Sequence, residues 1–210
     1  MAQAGTRSRC VSDWIGFAFY SVLAWTTLMK VPALGILLMP TLALELFAGV
    51  SFLIREPARA AERTSRARIT AYGGTFFVLV FLLAVNRYYA HWLSPTQLGA
   101  GRAAGVMLWM AGSAWAAYSV WYLRHAFSIE PEARRLMTCG PYRTARHPVY
   151  LGYCAQYFGM WLLFPTPQFG VALLVWLLLM ADRIRNEERV LARAFPEYEE
   201  YRRRVSALGV

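Results

Sequence analysis

The chain has 210 residues, of which 58% are hydrophobic and only 16% are charged, and its net charge is +10. A soluble domain usually has about 25% charged residues, so this composition indicates a membrane protein. The basic residues lie in short segments between apolar runs, and no aromatic–basic RNA-binding signature is present, which argues against a nucleic-acid partner.

Six apolar runs follow one another along the chain, and each is read as a membrane span. The predicted spans are 14–29, 33–54, 69–92, 103–127, 149–164 and 169–181. Residues 1–12 are polar and no small-residue cleavage site follows the first run, so we expect no removed signal peptide. The first two runs form a hairpin that turns at Lys30 to Pro32, and Pro40 predicts a kink in the second.

The basic residues predict the orientation of these spans. With six spans both termini lie on one side, and all 22 basic residues except Lys30, Arg87 and Arg102 fall on that side. The positive-inside rule therefore places both termini in the cytoplasm, with the chain in a cell or inner membrane. Because the last span runs into a polar helix at 182–195, the sequence predicts an all-α, polytopic membrane helix bundle with a cytoplasmic C-terminal helix.

The connection between the fourth and fifth runs carries the most informative stretch. It begins with a predicted short basic interfacial helix at 130–137 and continues at 140–152 as GPYRTARHPVYLG. The Gly-Pro pair is a turn signal, and Pro148 suits the first turn of the following helix while biasing His147 away from helical geometry. Arg146 and His147 are therefore expected on irregular polar backbone at the water boundary, where it must be buried in protein or line a wet cavity.

A second polar stretch follows the last apolar run. It reads DRIRNEERVL at 182–191, and a Phe- and Tyr-rich segment, FPEYEEY, follows at 195–201. A single arginine at such a boundary would be explained as a positive-inside anchor, but the combination of both stretches is too specific for that. Together they resemble the isoprenylcysteine carboxyl methyltransferase family and its phospholipid methyltransferase relatives, which carry G-P-Y-x-x-x-R-H-P-x-Y-x-G, a helical hairpin and R-x-x-x-E-E-x-x-L.

The resemblance covers roughly residues 128–205 and specifies the superfamily better than the substrate. It implies one integral membrane domain over 1–210, with N-terminal transmembrane helices at 1–127 and a catalytic, cofactor-binding region at 128–210. The implied activity is S-adenosylmethionine-dependent methyl transfer to a lipophilic small-molecule or prenylated acceptor from the bilayer. Carboxyl O-methylation of the isoprenylcysteine type is the leading reaction, with membrane lipids as further partners and no metal.

The same resemblance implies the site residues. The expected cofactor contacts are Tyr142, His147, Pro148, Tyr150, Gly152, Glu187 and Glu188. A carboxylate acceptor would need a cationic holder, and Arg146 and Arg183 are the candidates because a guanidinium offers a planar fork of donors. Arg183 and Glu187 are spaced i, i+4, so a simple intrahelical salt bridge is the alternative explanation of that pair.

Two other enzyme classes and one non-catalytic role stay open. Membrane sterol and enone reductases resemble this C-terminal architecture but bind NADPH, and phospholipid N-methyltransferases use an amine acceptor. A lipid-binding protein that retained the fold is the third possibility. Three histidines are too few for the di-iron cluster of membrane desaturases, and three cysteines without metal-binding spacing indicate neither a metal site nor a disulfide framework.

Isolated polar residues in the apolar runs have simpler explanations. Glu45 lies near the middle of the second predicted span, where a carboxyl is a functional candidate by default. We favour an interhelical hydrogen bond for it, with a partner that the sequence does not identify. His91 and His125 stand alone at helix ends and are expected to lie at the membrane interface.

Overall fold

The structure is a computed structural model and describes residues 11–30, 35–89 and 99–209. Those residues form seven α-helices. In chain order they are α1 Val11–Leu28, α2 Met39–Ile54, α3 Ser65–Tyr89, α4 Ala100–Leu123, α5 Pro148–Leu163, α6 Pro167–Ala194 and α7 Tyr198–Arg204. The predicted all-α fold class is confirmed, and the predicted sixth span and polar helix form one continuous helix, α6.

Two of the described helical stretches have the length and hydropathy to cross a membrane. They are Gly35–Ile54, with a mean hydropathy of 2.0, and Pro167–Ala194, with 1.4. On α6, Val171 and Leu178 are 63% and 64% exposed, which suits an apolar surrounding. The six-span topology stays a prediction. The predicted turn at Lys30 to Pro32 lies partly outside the described residues, and His91 and the predicted span end at Trp92 lie wholly outside them.

The predicted interfacial helix at 130–137 is wrong, because this segment is extended. Glu132–Ala133 forms a short strand, β2, that pairs antiparallel with β1 at Ala60–Ala61. The backbone N–H of Arg59 donates to Ala133 O at 2.7 Å, and that of Glu62 donates to Pro131 O at 3.0 Å. These partners on the α2–α3 connection replace the hydrogen bonds that an isolated helical turn would have made, so tertiary pairing overrides local propensity.

Helices α4 and α5 make the closest helix contact, and glycines allow it. Gly112 faces Gly152, and a Cβ on Gly152 would lie 2.8 Å from Gly112 O and from Ala116 N. One level along the pair, a Cβ on Gly159 would lie 2.7 Å from Gly105 O. Small residues at these facing positions let the two backbones touch, which is the usual packing of membrane helices.

Ion pairs hold the polar ends of the helices together at one end of the bundle. Arg55 follows α2, and its Nε donates to Asp13 Oδ1 of α1 at 2.6 Å, with both side chains almost fully buried. Arg66 of α3 pairs with Asp182 of α6, with an Nη2–Oδ1 distance of 2.6 Å. This end of the bundle also carries the two motif stretches, so the ion pairs fix the platform on which the site is built.

The glycine contact gives a stability prediction. Gly152→Ala should lower the unfolding temperature of the detergent-solubilised protein, because the added methyl must displace the α4 backbone 2.8 Å away. Gly101→Ala is the control, because a Cβ on Gly101 of α4 meets nothing within 4 Å, and alanine gains about 0.8–1.0 kcal/mol in helix propensity. An unchanged unfolding temperature for Gly152→Ala would contradict the close packing of α4 on α5.

Candidate active site

The motif stretch at 140–152 folds as a short 3-10 turn followed by the start of α5. The 3-10 turn spans Gly140–Arg143, and Gly140 has a φ of 60°, a conformation that favours glycine. Pro148 is the first residue of α5, as predicted. The C-terminal segment fastens the loop between them, since Arg146 N donates to Ser206 O and His147 N donates to Ala207 O, both at 3.0 Å.

Glu188 joins the loop to α6 through two side chains. Arg146 donates to its Oε1 from Nε at 2.9 Å and from Nη2 at 2.7 Å, and His147 Nε2 lies 3.3 Å from the same oxygen. Burial alone would raise the pKa of Glu188. The hydrogen bonds from His147 and Arg146 have the larger, opposite effect, and they lower the pKa to about 2. The carboxylate is therefore ionised at neutral pH and holds both side chains in place.

Glu187 makes a second set of contacts one residue earlier. Its Oε1 accepts from the Tyr150 hydroxyl and from Arg183 Nε, the latter at 3.0 Å, and its Oε2 lies 3.8 Å from His147 Nδ1. The His147 ring stacks on Tyr150 with centroids 5.6 Å apart, and the Arg183 guanidinium lies 5.4 Å from the centre of the same Tyr150 ring. Arg183 and Glu187 therefore form the intrahelical salt bridge that was the alternative explanation of their spacing.

All five N–H groups of Arg183 have protein partners. Besides Glu187, Nη1 donates to Ala71 O at 3.3 Å and Thr75 Oγ1 at 2.9 Å of α3. Nη2 donates to Ser128 O at 3.2 Å and Ile129 O at 2.8 Å in the segment that follows α4. One guanidinium thus ties together α3, α6 and the connection after α4, and it can contact a ligand only by exchanging a present partner.

Tyr142 presents a buried hydroxyl at the cavity. The residue is 5% exposed, and its hydroxyl has no partner in the part of the chain that the structure describes. Its backbone carbonyl accepts from the Tyr201 hydroxyl of α7 at 2.6 Å. Burial and the nearby Glu187 raise the pKa of Tyr142, so the hydroxyl stays protonated and can donate to a ligand.

A cavity of about 550 Å³ begins at these side chains and extends into the bundle. Its volume lies in the usual range of small-molecule sites. Its walls are aromatic and aliphatic side chains of α1, α4 and α5, among them Tyr20, Leu23, Trp109 and Tyr157. Polar side chains also line it, both from the motif stretches and, on α1 and α2, Thr27 and Glu45. The space therefore suits a molecule with polar groups and a long apolar part.

The structure brings most of the predicted site residues to this cavity. Those that line it are Tyr142, Arg146, His147, Tyr150, Arg183 and Glu187. The other three lie behind it: Glu188 holds Arg146 and His147, Pro148 starts α5, and Gly152 packs against α4. The described residues contain no group of three or more His, Cys, Asp or Glu side chains placed to hold a metal.

Several lining residues are absent from the sequence prediction. Tyr198 and Tyr201 of the C-terminal helix face the cavity, and their i, i+3 spacing in the aromatic tail was the signal that could have shown it. Three more lining residues come from α1 and α2, namely Tyr20, Thr27 and Glu45. The sequence singled out only Glu45, because it is a charged residue within an apolar run. The predicted interhelical hydrogen bond of Glu45 is confirmed, with Thr27 as its partner at 3.1 Å.

The region that contains both motif stretches is similar to known proteins. The family model described as phospholipid methyltransferase matches residues 100–198, a range that contains both motif stretches. The cobalt-zinc-cadmium resistance protein CzcN of Cupriavidus metallidurans CH34 is 32% identical over 134 residues, which cover 63% of this chain and 58% of that relative. The nickel-cobalt-cadmium resistance protein NccN of Alcaligenes xylosoxydans xylosoxydans is 32% identical over 159 residues, covering 72% of this chain and 70% of the relative.

No solved structure matches the chain. The match to CzcN spans less than two thirds of the length of CzcN, whereas the match to NccN spans more than two thirds of the length of NccN. The family match and the identity to NccN lead to one conclusion: this chain belongs to the phospholipid methyltransferase family.

Proposed function

We propose that this chain transfers a methyl group from S-adenosylmethionine to a lipophilic acceptor that enters from the bilayer. Carboxyl O-methylation of the isoprenylcysteine type is the leading reaction. The observation that carries the proposal is one cavity with the Glu187 network at one end and apolar walls behind it. Such a space accommodates a polar, positively charged cofactor beside a long apolar substrate.

The residues at the polar end fit S-adenosylmethionine. Tyr142 offers an unused hydroxyl donor, and Glu187 offers a carboxylate for the ammonium group or the ribose hydroxyls. Tyr150 offers an aromatic face for a positive charge or a flat base. When bound, the cofactor supplies a methyl group that its sulfonium already activates, so the chain contributes mainly binding, orientation and exclusion of water.

Arg146 and Arg183 are the proposed catalytic residues for an acceptor carboxylate. Both line the cavity, and both are held by glutamates, Arg146 by Glu188 and Arg183 by Glu187. Their positive charge would keep an acceptor carboxylate bound without full hydration, which matters because hydration stabilises the separated charges more than the transition state. Glu188 would act on the cofactor through His147, which it orients.

The phospholipid methyltransferase match favours a second acceptor class, a lipid amine. A neutral amine needs no cationic holder, so in that reaction the two arginines would serve only to place the glutamates. The two acceptor classes therefore differ in how strongly turnover depends on Arg183.

The cofactor is tested by calorimetric titration of the purified protein with S-adenosylmethionine and, separately, NADPH. S-adenosylmethionine should bind, and His147→Ala and Glu188→Ala should each weaken binding by about 1–3 kcal/mol through loss of charge-assisted hydrogen bonds. Glu199→Ala is the control, because Glu199 is exposed and pairs only with Arg202 among the described residues. Undiminished affinity in both site variants would place the cofactor elsewhere, and binding of NADPH alone would indicate a reductase.

The acceptor class is tested with Arg183→Lys. Lysine keeps the charge but offers three donors in place of five, so turnover of a lipophilic carboxylic acid should fall by about tenfold or more with little change in cofactor affinity. Arg204→Lys is the control, since Arg204 is exposed and lies 3.5 Å from Glu200. Unchanged turnover would remove Arg183 from the reaction, and equal turnover of phosphatidylethanolamine by wild type and variant would favour N-methylation.

We also propose that the site and both termini face the cytoplasm of a cell or inner membrane. In a version without native cysteines, Leu208→Cys should be protected from an impermeant thiol reagent in intact cells, and Gln168→Cys should react. Both positions are exposed, so accessibility differs only by side of the membrane. Protection of both labels, or labelling of Leu208→Cys, would contradict the six-span orientation.

A further inference from the structure

The cavity has a second polar end, far from the motif residues. Glu45 of α2 lines it and is 6% exposed, and its Oε1 accepts from the Thr27 hydroxyl of α1 at 3.1 Å. Its other oxygen, Oε2, is fully buried and has no hydrogen-bond partner within the described ranges. Lys30 lines the cavity at the same end.

The distance between the two polar ends follows from the helix geometry. Arg55, just after α2, donates to Ser128 Oγ at 3.3 Å, and Arg183 donates to Ser128 O at 3.2 Å, so Arg55 lies at the level of the motif residues. Glu45 lies on α2, ten residues before Arg55. At 1.5 Å per residue, Glu45 lies about 15 Å deeper in the bundle, roughly half the thickness of the hydrocarbon core.

The space between the ends is apolar and aromatic. Phe19, Tyr20 and Leu23 of α1 line it on one side, and Trp109 and Tyr157 line it on the other. A molecule that fills it is therefore elongated and apolar along its length. A group that reaches Glu45 would satisfy the buried oxygen that Thr27 leaves unused.

We propose that Glu45 and Thr27 form a recognition subsite for a hydroxyl group at the far end of the acceptor. A hydroxyl both donates and accepts, so it can bond to Oε2 whether the carboxyl is ionised or protonated. The acceptor would then be an elongated amphiphile, methylated at one end and hydroxylated at the other. The methylated end rests on the proposed function, whereas the hydroxyl subsite is defined by the cavity itself.

A purely structural role for Glu45 fits the geometry less well. The Thr27 bond uses one carboxyl oxygen and leaves the other buried without a hydrogen-bond partner among the described residues, which carries a desolvation penalty. A glutamine or a serine at position 45 could also hydrogen-bond to Thr27 and so connect α1 to α2, and it would not place a second acidic oxygen at the cavity wall. Buried ionisable residues at membrane depth usually serve a ligand or an ion pathway.

The test compares two chains of equal length, dodecanoic acid and its ω-hydroxylated form, titrated into the purified full-length protein in detergent. The wild-type protein should bind the hydroxylated chain about tenfold more tightly than it binds the unhydroxylated chain, which is the effect of one buried hydrogen bond. Glu45→Leu should abolish this preference. The ratio of affinities is compared between variants, so partitioning of the chains into micelles cancels.

Two further variants complete the design. Glu45→Met, which is close to glutamate in length, should also lose the preference and gives the same readout if Glu45→Leu fails to fold. Ser51→Ala is the control, because Ser51 is a fully buried polar residue of α2 that bonds to Phe47 O and does not line the cavity. It should keep the preference.

The subsite would be overturned if wild type showed no preference, or if the preference survived in the folded Glu45 variants. Affinity for S-adenosylmethionine is measured on the same samples and should be unchanged in all of them. A wild-type protein that prefers the hydroxylated chain but binds no S-adenosylmethionine would uphold the subsite and refute the proposed function, so the two failures are distinguishable.

Discussion

The rest of the site depends on the pairing of two adjacent glutamates with two arginines from different parts of the chain. Glu187 and Glu188 lie on α6, and they hold Arg183 and, across the loop, Arg146. Buried charges at the edge of a bilayer are tolerated only when paired, so neither glutamate nor arginine can be removed without leaving its partner uncompensated. This constraint explains why the helix ends, the motif loop and the C-terminal segment converge on one place.

Charge pairing at the polar end has a consequence for the apolar interior. Because Arg183 uses all five donors to join α3, α6 and the connection after α4, these three parts of the chain are held together at the polar end of the cavity. Behind it, glycines hold α5 close to α4, and the aromatic side chains of α1, α4 and α5 line a continuous space. A fixed polar end and a long apolar interior together orient a molecule that has one reactive end.

The sequence predicted the polar end better than the interior. The resemblance of two short motif stretches to a known family pointed to Arg146, His147, Tyr150 and Glu187, and the structure places all four at the cavity. The turn residues and the i, i+4 spacing within those stretches act locally, so the sequence shows them directly. The interfacial helix at 130–137 failed, because its backbone pairs with residues far away in sequence. Which apolar side chains of α1 and α2 face the cavity depends on helix rotation and packing, and a run that is hydrophobic on all sides carries no signal for either.

The central claim is that the cavity beside Glu187 holds the methyl donor. The most direct measurement is an experimental structure of the protein in lipid nanodiscs with S-adenosylhomocysteine, the product form of the donor. The ligand should lie at the polar end, with its amino acid or ribose groups on the Tyr142 hydroxyl and the Glu187 carboxylate, and with the thioether sulfur facing the apolar interior. A ligand bound outside this cavity, with Tyr142 and Glu187 untouched, would contradict the claim.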